Sequence, residues 1–274
     1  MLQAYPENWA LITGASSGIG AEFARRLAAR GMHLVLTARR RDLLEKLVTE
    51  LYTAHGTKCE VIVCDLADPT QPRQLLDEVA RRGITLELLV NNAGVGHVAE
   101  IVNTDVDRIQ EMIRLNIGAL TELTYGVLPE MLARGHGAII NVSSVAAFQP
   151  VAYMGAYAAT KAYALHFSEA LWAEAREKGV TVMALCPGTT RTEFFDVAGA
   201  VGWLAKRRAH DVSDVVRCAL KALERKRQYV VCGWANYLIS LLVRIANRRT
   251  VVRESMKYFR PPKKKKEPAL PPQE

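Results

Sequence analysis

Tyr157 and Lys161 close the segment Ser143-Ser144-(x12)-Tyr157-Ala-Ala-Thr-Lys161. On a helix, residues four apart share a face, one turn from each other. A lysine ammonium beside a phenol favours the phenolate and draws the tyrosine pKa down from about 10 toward neutrality. A phenol tuned in that way can hand a proton to a developing alkoxide, or take one from an alcohol, near pH 7. Of the nine tyrosines, only Tyr157 has a lysine four positions on. Tyr-x-x-x-Lys alone also describes a solvated pair on a helix surface, so the elements around it carry the argument.

The second chemical feature lies near the start of the chain. Trp9-Ala-Leu-Ile-Thr13 is a short apolar run that reads as a strand, and it leads into Gly14-Ala-Ser16-Ser17-Gly18-Ile19-Gly20. Residues 21–30 have helical periodicity and end at Gly31. Strand, glycine-rich turn and helix in that order make a pyrophosphate site, because backbone N–H groups approach the phosphates and the helix N-terminus adds a positive dipole end. The spacing is Gly-x-x-x-Gly-x-Gly, a variant of the commoner Gly-x-Gly-x-x-Gly. A turn that only lets strand and helix pack is the competing reading.

Thr13-Gly-x-x-x-Gly-Ile-Gly20, Asn91-Asn92-Ala93-Gly94, Asn116, Ser144, Tyr157-x-x-x-Lys161 and Pro187-Gly188 occur in one order. In that order and spacing the chain resembles the short-chain dehydrogenase/reductase family over roughly residues 5–232. The resemblance implies a single Rossmann-like domain and NAD(P)-dependent interconversion of a carbonyl and an alcohol. It gives Tyr157 the part of general acid in reduction and base in oxidation. Lys161 would lower the Tyr157 pKa and hold the nicotinamide ribose, and Ser144 would polarise the carbonyl. Asn116 would interrupt a helix and hold a proton-relaying water. Asp65 and Leu66 would hold the adenine edge, with Asn92, Ala93 and Gly94 beside the adenosine ribose. Pro187, Gly188, Thr190 and Thr192 would close over the nicotinamide carboxamide and diphosphate. Ser143, one residue out of register, and Tyr153, which has Tyr157 at i+4, are the local rivals.

Cofactor choice is written after the second strand-like run, where an acidic residue binds a ribose 2′-OH and an arginine accommodates a 2′-phosphate. The run ends Thr37-Ala-Arg39-Arg40-Arg41, and the first carboxylate is Asp42. A guanidinium binds phosphate in bidentate fashion. Arg39 is expected as the main contact, with Arg40 and the Ser16 hydroxyl assisting, which favours NADP(H).

Strand-like runs at 9–13, His33–Thr37, Val61–Cys64, Leu86–Asn91, Ala138–Val142, Val180–Cys186 and Tyr229–Cys232 alternate with helical stretches. Seven such runs predict an α/β fold, a doubly wound sheet of seven parallel strands flanked by helices. The motifs follow the strands' carboxyl ends, where ligands bind in such sheets. The 274 residues, half of them apolar, suffice for one well-buried core. No linker divides 1–232, the expected catalytic domain. Five cysteines without C-x-x-C spacing argue against a disulfide framework and a metal site. The opening Met-Leu-Gln-Ala-Tyr-Pro-Glu carries no basic start or apolar stretch, so a cytoplasmic location is expected.

Residues 189–210 form the expected substrate lid, with Phe194, Phe195, Val197, Val201, Trp203 and Leu204 as its apolar side chains and Gly199 and Gly202 as hinges. Lys206-Arg-Arg208 precedes Asp211, an expected helix N-cap. Residues 244–274 hold ten Lys/Arg against three Glu, a balance of +7 out of the whole chain's +8. Trp234, Leu238, Leu241, Ile245, Val252, Met256 and Phe259 recur at helical spacing, predicting one amphipathic helical extension over 233–260 and a basic, disordered tail over 261–274. That end can pack on its own sheet or a partner subunit, or bind anionic lipid peripherally; no aromatic-interleaved basic surface points to nucleic acid. The expected assembly is a homo-oligomer, dimer or tetramer. Three functions fit: an NADP(H)-dependent carbonyl reductase, a membrane-peripheral reductase of a keto-lipid or 3-ketoacyl substrate, and a catalytically silent NADP-binding scaffold.

Overall fold

All seven apolar runs fold as strands: β1 (Trp9–Thr13), β2 (His33–Ala38), β3 (Cys59–Val63), β4 (Leu86–Asn91), β5 (Gly137–Val142), β6 (Val180–Cys186) and β7 (Tyr229–Val231). They pair in the order β3-β2-β1-β4-β5-β6-β7, every pair parallel. The computed structural model describes residues 8–200 and 209–260. Val201, Gly202, Trp203, Leu204 and Lys206–Arg208 of the expected lid, and the basic tail 261–274, lie outside the described residues. The third strand begins two residues before the expected Val61, because Leu34 takes Cys59 as its partner.

The helices are α1 (Gly18–Ala28), α2 (Arg41–His55), α3 (Gln71–Arg81), α4 (Val106–Ile113), α5 (Leu120–Arg134), α6 (Gly155–Ala175), the short α7 (Phe194–Val197), α8 (Val212–Glu224), α9 (Trp234–Ile245) and α10 (Arg248–Phe259). Successive strand side chains point to opposite faces, and here both faces are covered. Ala10, Ile12, Leu34 and Leu36 join Phe23 and Leu27 of α1, Leu44 and Leu47 of α2 and Leu220 and Leu223 of α8 in one core. Leu11, Val35 and Leu89 face the other way, onto Leu75 of α3, Leu123 and Met131 of α5 and Leu171 of α6. That two-sided burial explains why the strands read as continuous apolar runs.

A buried polar ladder ties the middle of the sheet to its helices. Asn91 donates to Asn141 Oδ1 at 2.9 Å and to Thr124 Oγ1 at 3.0 Å, and Asn141 donates to Ser168 Oγ at 2.9 Å. Between α4 and α5 the chain forms a π-helical turn over Arg114–Ala119 that carries Asn116 inward. Wider turns of this kind inside helices recur at functional sites.

Two local expectations need correction. The single amphipathic helix is two, because Ala246 and Asn247 adopt extended backbone and the Asn247 side chain accepts from Arg249 N at 2.9 Å, capping a new helix. Asp211 does stand at the N-cap position of α8, but its side chain makes no cap bond; Arg191 claims Oδ1 at 3.0 Å instead.

Candidate active site

The glycine-rich turn is held from β4. Thr13 Oγ1 accepts from Asn92 N at 3.0 Å and Ala93 N at 2.9 Å, while Asn92 Nδ2 donates back to Thr13 O at 2.9 Å and Gly14 O at 3.2 Å. Gly14 has φ +65°, in the left-handed region. A Cβ on Gly20 would lie 2.4 Å from the Gly14 carbonyl oxygen, so no other residue fits there. Ser17 precedes α1 without capping it. Its hydroxyl, with that of Ser16, accepts from Arg40 Nη2, at 2.9 and 3.2 Å.

The two arginines expected at the 2′-phosphate take different partners. Arg40 bends over the serines and pairs with Glu193 at 3.1 Å, whereas Arg39 points to Glu111 at 3.6 Å. Both still line the same cavity. Adjacent residues after a strand leave in different directions, and residue type alone does not say which one turns toward the glycines.

On α6, Tyr157 and Lys161 lie on one face and are buried. Lys161 Nζ donates to Val142 O at 2.8 Å and stands 5.8 Å from the centre of the Tyr157 ring. Ser144 Oγ accepts from Ala146 N at 3.1 Å, and its side chain shares the cavity wall with Tyr157. Ser143, the neighbouring rival, is committed elsewhere: its Oγ donates to the Lys161 carbonyl at 2.7 Å and so anchors α6 to β5. Tyr153 has φ +64° and its hydroxyl accepts from Arg260 Nε at 3.3 Å. Asn116 Nδ2 donates to Val95 O at 2.9 Å and to Thr160 Oγ1 at 3.0 Å, and Oδ1 accepts from Val95 N at 3.0 Å. A Cβ on Gly94 would meet Asn116 Oδ1 at 3.2 Å and Lys161 Nζ at 3.3 Å, so both groups border that glycine.

The electrostatics run opposite to the simple charge argument. Burial pushes the Tyr157 phenol up to about 12, with the Ser144 hydroxyl opposing, and pushes the Lys161 ammonium down to about 8. Loss of water disfavours both charged forms, and in the free protein that outweighs the pull of an ammonium bonded to the Val142 carbonyl.

These groups share a cavity of about 420 Å³. Gly14, Ser16, Ser17, Gly18 and Ile19 form one end, beside Arg39, Arg40, Asp65 and Leu66. Asn92, Ala93 and Gly94 lie between, and Ser144, Tyr157, Lys161, Pro187, Gly188, Thr190 and Thr192 complete the wall. Gly20 and Asn116 stand behind the lining, as spacer and buttress. Asp65 Oδ1 accepts from Ala67 N at 3.1 Å, bending the chain after β3. Thr190 Oγ1 donates to Gly188 O at 2.9 Å, and Thr192 Oγ1 accepts from Phe194 N at 3.3 Å. Among the described residues no group of three or more His, Cys, Asp or Glu could hold a metal ion.

Sequence reasoning did not place Val151, Met154 and Phe259 at this wall. Together with Val95 and Phe194 they pack around Tyr157. Phe259 arrives from the far end of the chain: Ser255 Oγ accepts from Ala152 N at 3.1 Å and draws α10 against the loop before α6. Its apolar periodicity was visible, but not the surface it would cover.

Residues 8–200 match the family described as short chain dehydrogenase, and the chain belongs to that family. A very-long-chain 3-oxoacyl-CoA reductase from Anas platyrhynchos is 34% identical over 196 residues, 69% of this chain and 62% of that protein. The chain spans 53–62% of the length of the very-long-chain reductases of this kind that it matches. A short-chain dehydrogenase from Sphingobium yanoikuyae in complex with NADPH shares 35% identity at a TM-score of 0.79, covering 85% of this chain and 92% of that one. A bulky-bulky ketone specific alcohol dehydrogenase from Comamonas testosteroni shares 31% identity at a TM-score of 0.76, with 88% and 93% covered.

Proposed function

We propose that this oxidoreductase uses NADPH to reduce an apolar ketone to a secondary alcohol, with a long-chain keto-lipid or 3-ketoacyl group as the substrate class. The observation that carries the reading is Tyr157 and Lys161, buried one helical turn apart on α6, with Ser144 on the wall of the same cavity that the glycine-rich turn opens into. The cradle fits a dinucleotide: Gly14, Ser16, Ser17 and Gly18 line the cavity at the N-terminus of α1, where a pyrophosphate would meet backbone N–H groups, and Arg40 with Arg39 supplies guanidinium for a 2′-phosphate. When bound, the nicotinamide supplies the hydride.

Ser144 holds the substrate carbonyl oxygen within reach of the Tyr157 hydroxyl. A phenol held up to about 12 is fully protonated at pH 7 and is ready to donate as negative charge develops on that oxygen. Lys161, still mostly charged at pH 7 with its ammonium pushed down to about 8, orients the nicotinamide ribose and eases loss of the phenolic proton. Asn116 fixes the loop at Val95 and the helix at Thr160, keeping the proton path beside Lys161. The apolar substrate reading rests on Val95, Val151, Met154, Phe194 and Phe259 around Tyr157, and the names of the reductase relative and the bulky-ketone neighbour support it. A silent scaffold has no use for an intact Ser144, Tyr157 and Lys161.

A homo-oligomer is supported by the aromatic strip on α5 and α6, where exposed Tyr125 meets Phe167, which stacks on Tyr163; light scattering tests it. The enzyme itself is tested by following NADPH absorbance with ketones and 3-oxoacyl thioesters of increasing chain length. We expect rates to rise with chain length and Tyr157→Phe to lower turnover about 10²-fold or more while NADPH binding survives. Near-normal turnover in that variant, or a wild type that prefers NADH, defeats the reading.

A further inference from the structure

Helix α9 is turned the wrong way round for a helix of a water-soluble domain. At 100° per residue, Trp234, Tyr237, Leu238, Leu241, Leu242 and Ile245 fall within an arc of about 140°, and every one of them is exposed. Trp234 is 78% exposed and Ile245 is 85% exposed. The side that meets the protein carries Asn236, Ser240 and Val243 instead, and Ser240 is the only buried residue of the helix. Asn236 explains that orientation: its Nδ2 donates to Cys232 O at 2.7 Å and meets His210 Nε2 at 3.1 Å, close against Gly188. Polar bonds fix one side of α9 to the catalytic domain and leave the apolar side without a partner among the described residues. A contiguous apolar patch rimmed by polar residues marks an interaction surface.

We propose that α9, with α10 beside it, docks the enzyme onto an anionic lipid surface. The charge around the patch selects that partner. Arg244, Arg248, Arg249, Arg253 and Lys257 are exposed on these two helices, with exposed Arg260 just after α10, against the single Glu254. A second copy joined through the same face would set this cationic fringe against itself, whereas anionic headgroups neutralise it. Trp234 and Tyr237 are amphipathic aromatics suited to the headgroup boundary. The helix has 12 residues, about 18 Å at 1.5 Å per residue, well short of a bilayer's ~30 Å core. Among the described residues no helix is long and apolar enough to cross a membrane. The helix therefore lies in the interface, its apolar side dipping into the acyl boundary. Because α10 ends in Phe259 at the cavity wall, docking brings the substrate mouth beside the lipid, which suits the apolar substrate proposed above; that last point rests on the reductase reading, whereas the docking does not.

The test uses the full chain and vesicles of phosphatidylcholine with or without about 30% phosphatidylserine, an anionic content chosen to give a strongly negative surface. The protein should co-sediment with the anionic vesicles at low salt, lose affinity as salt rises, and show Trp234 emission quenched by brominated lipid, a signal absent in Trp234→Phe. The triple variant Leu238→Glu/Leu242→Glu/Ile245→Glu should bind at least ~10-fold more weakly, with turnover of a small soluble ketone unchanged as proof of folding. If the triple variant misfolds, Ile245→Glu alone and the Trp234 quenching still decide. Deleting 261–274 should weaken binding without abolishing it. The proposal falls if full-length protein ignores anionic vesicles, if the glutamate variants bind as wild type, or if binding disappears with the tail alone. It falls equally if wild type ignores vesicles and the triple variant converts a dimer to a monomer in light scattering, because a second copy then covers the face. Failure of any soluble ketone to turn over would count against the reductase reading alone.

Discussion

The Phe194 ring lies 5.3 Å from that of Tyr157, tilted by 51°, and so covers the proposed acid with a hydrocarbon face. Phe194 is wedged in place: a Cβ on Gly96 would come within 2.5 Å of its ring. Behind it Val98 N donates to Ala198 O at 2.9 Å, fastening the end of α7 to the loop after β4. Phe194 is thus held over the phenol, and its cover contributes to the burial that raises the Tyr157 pKa.

Phe194→Ala should act mainly on substrate binding. Removing a half-buried phenyl from the wall gives up about half of the ~1.5–3 kcal/mol that full burial is worth, so KM for a long-chain ketone should rise roughly 3- to 10-fold. The same variant admits water beside Tyr157 and should bring its pKa down from about 12. Steady-state kinetics across a chain-length series check the first effect. An unchanged KM for the longest substrate would place the chain elsewhere.

The shifted groups give a pH signature of opposite signs. Between about 8 and the ordinary lysine value of 10.5, folded Lys161 has released a proton that the unfolded chain still holds. The unfolded state binds more protons there, so stability rises with pH across that window. Between 10.0 and about 12 the folded chain keeps the Tyr157 proton that the unfolded chain releases, so stability falls. Urea titrations should show wild type gaining on Lys161→Met from about pH 8 to 10, where the variant lacks the first term. Since kcat/KM reports the free enzyme, its alkaline limb for reduction should set in near 8 and reflect Lys161. Parallel stability curves for the two proteins would refute the assignment.

Arg40 and Arg39 can be ranked by substitution. Arg40 is the one bonded to Ser16 and Ser17, so Arg40→Asp should swing preference from NADPH toward NADH more than Arg39→Asp does. A carboxylate there repels a 2′-phosphate and accepts from a free 2′-OH. The ratio of kcat/KM for the two nucleotides checks it, with at least a tenfold difference expected, about 1.4 kcal/mol. If Arg39→Asp swings further, the side-chain placement seen here is not the one used with nucleotide bound.

Much of this protein is written in local patterns. Apolar runs bounded by helical stretches identified seven strands because a sheet covered on both faces needs apolar residues at every strand position, and β1 through β7 follow. Tyr157 and Lys161 share a face because i and i+4 do so on any helix. Gly14 and Gly20 were legible because only glycine tolerates that turn. Three matters were decided by the tertiary structure. Ser143 and Ser144 are adjacent hydroxyls, and only the approach of α6 to β5 commits Ser143 to the Lys161 carbonyl and leaves Ser144 on the cavity wall with Tyr157. The same approach buries the phenol and the ammonium so deeply that desolvation overrides the attraction expected from their spacing. Helical periodicity marked Trp234 through Phe259 as amphipathic, yet it says nothing about what each side of a helix meets. Asn236 turned the apolar side of α9 outward, and Ser255 brought Phe259 back to the cavity. Local geometry sets which residues share a face; long-range hydrogen bonds and packing set where that face points.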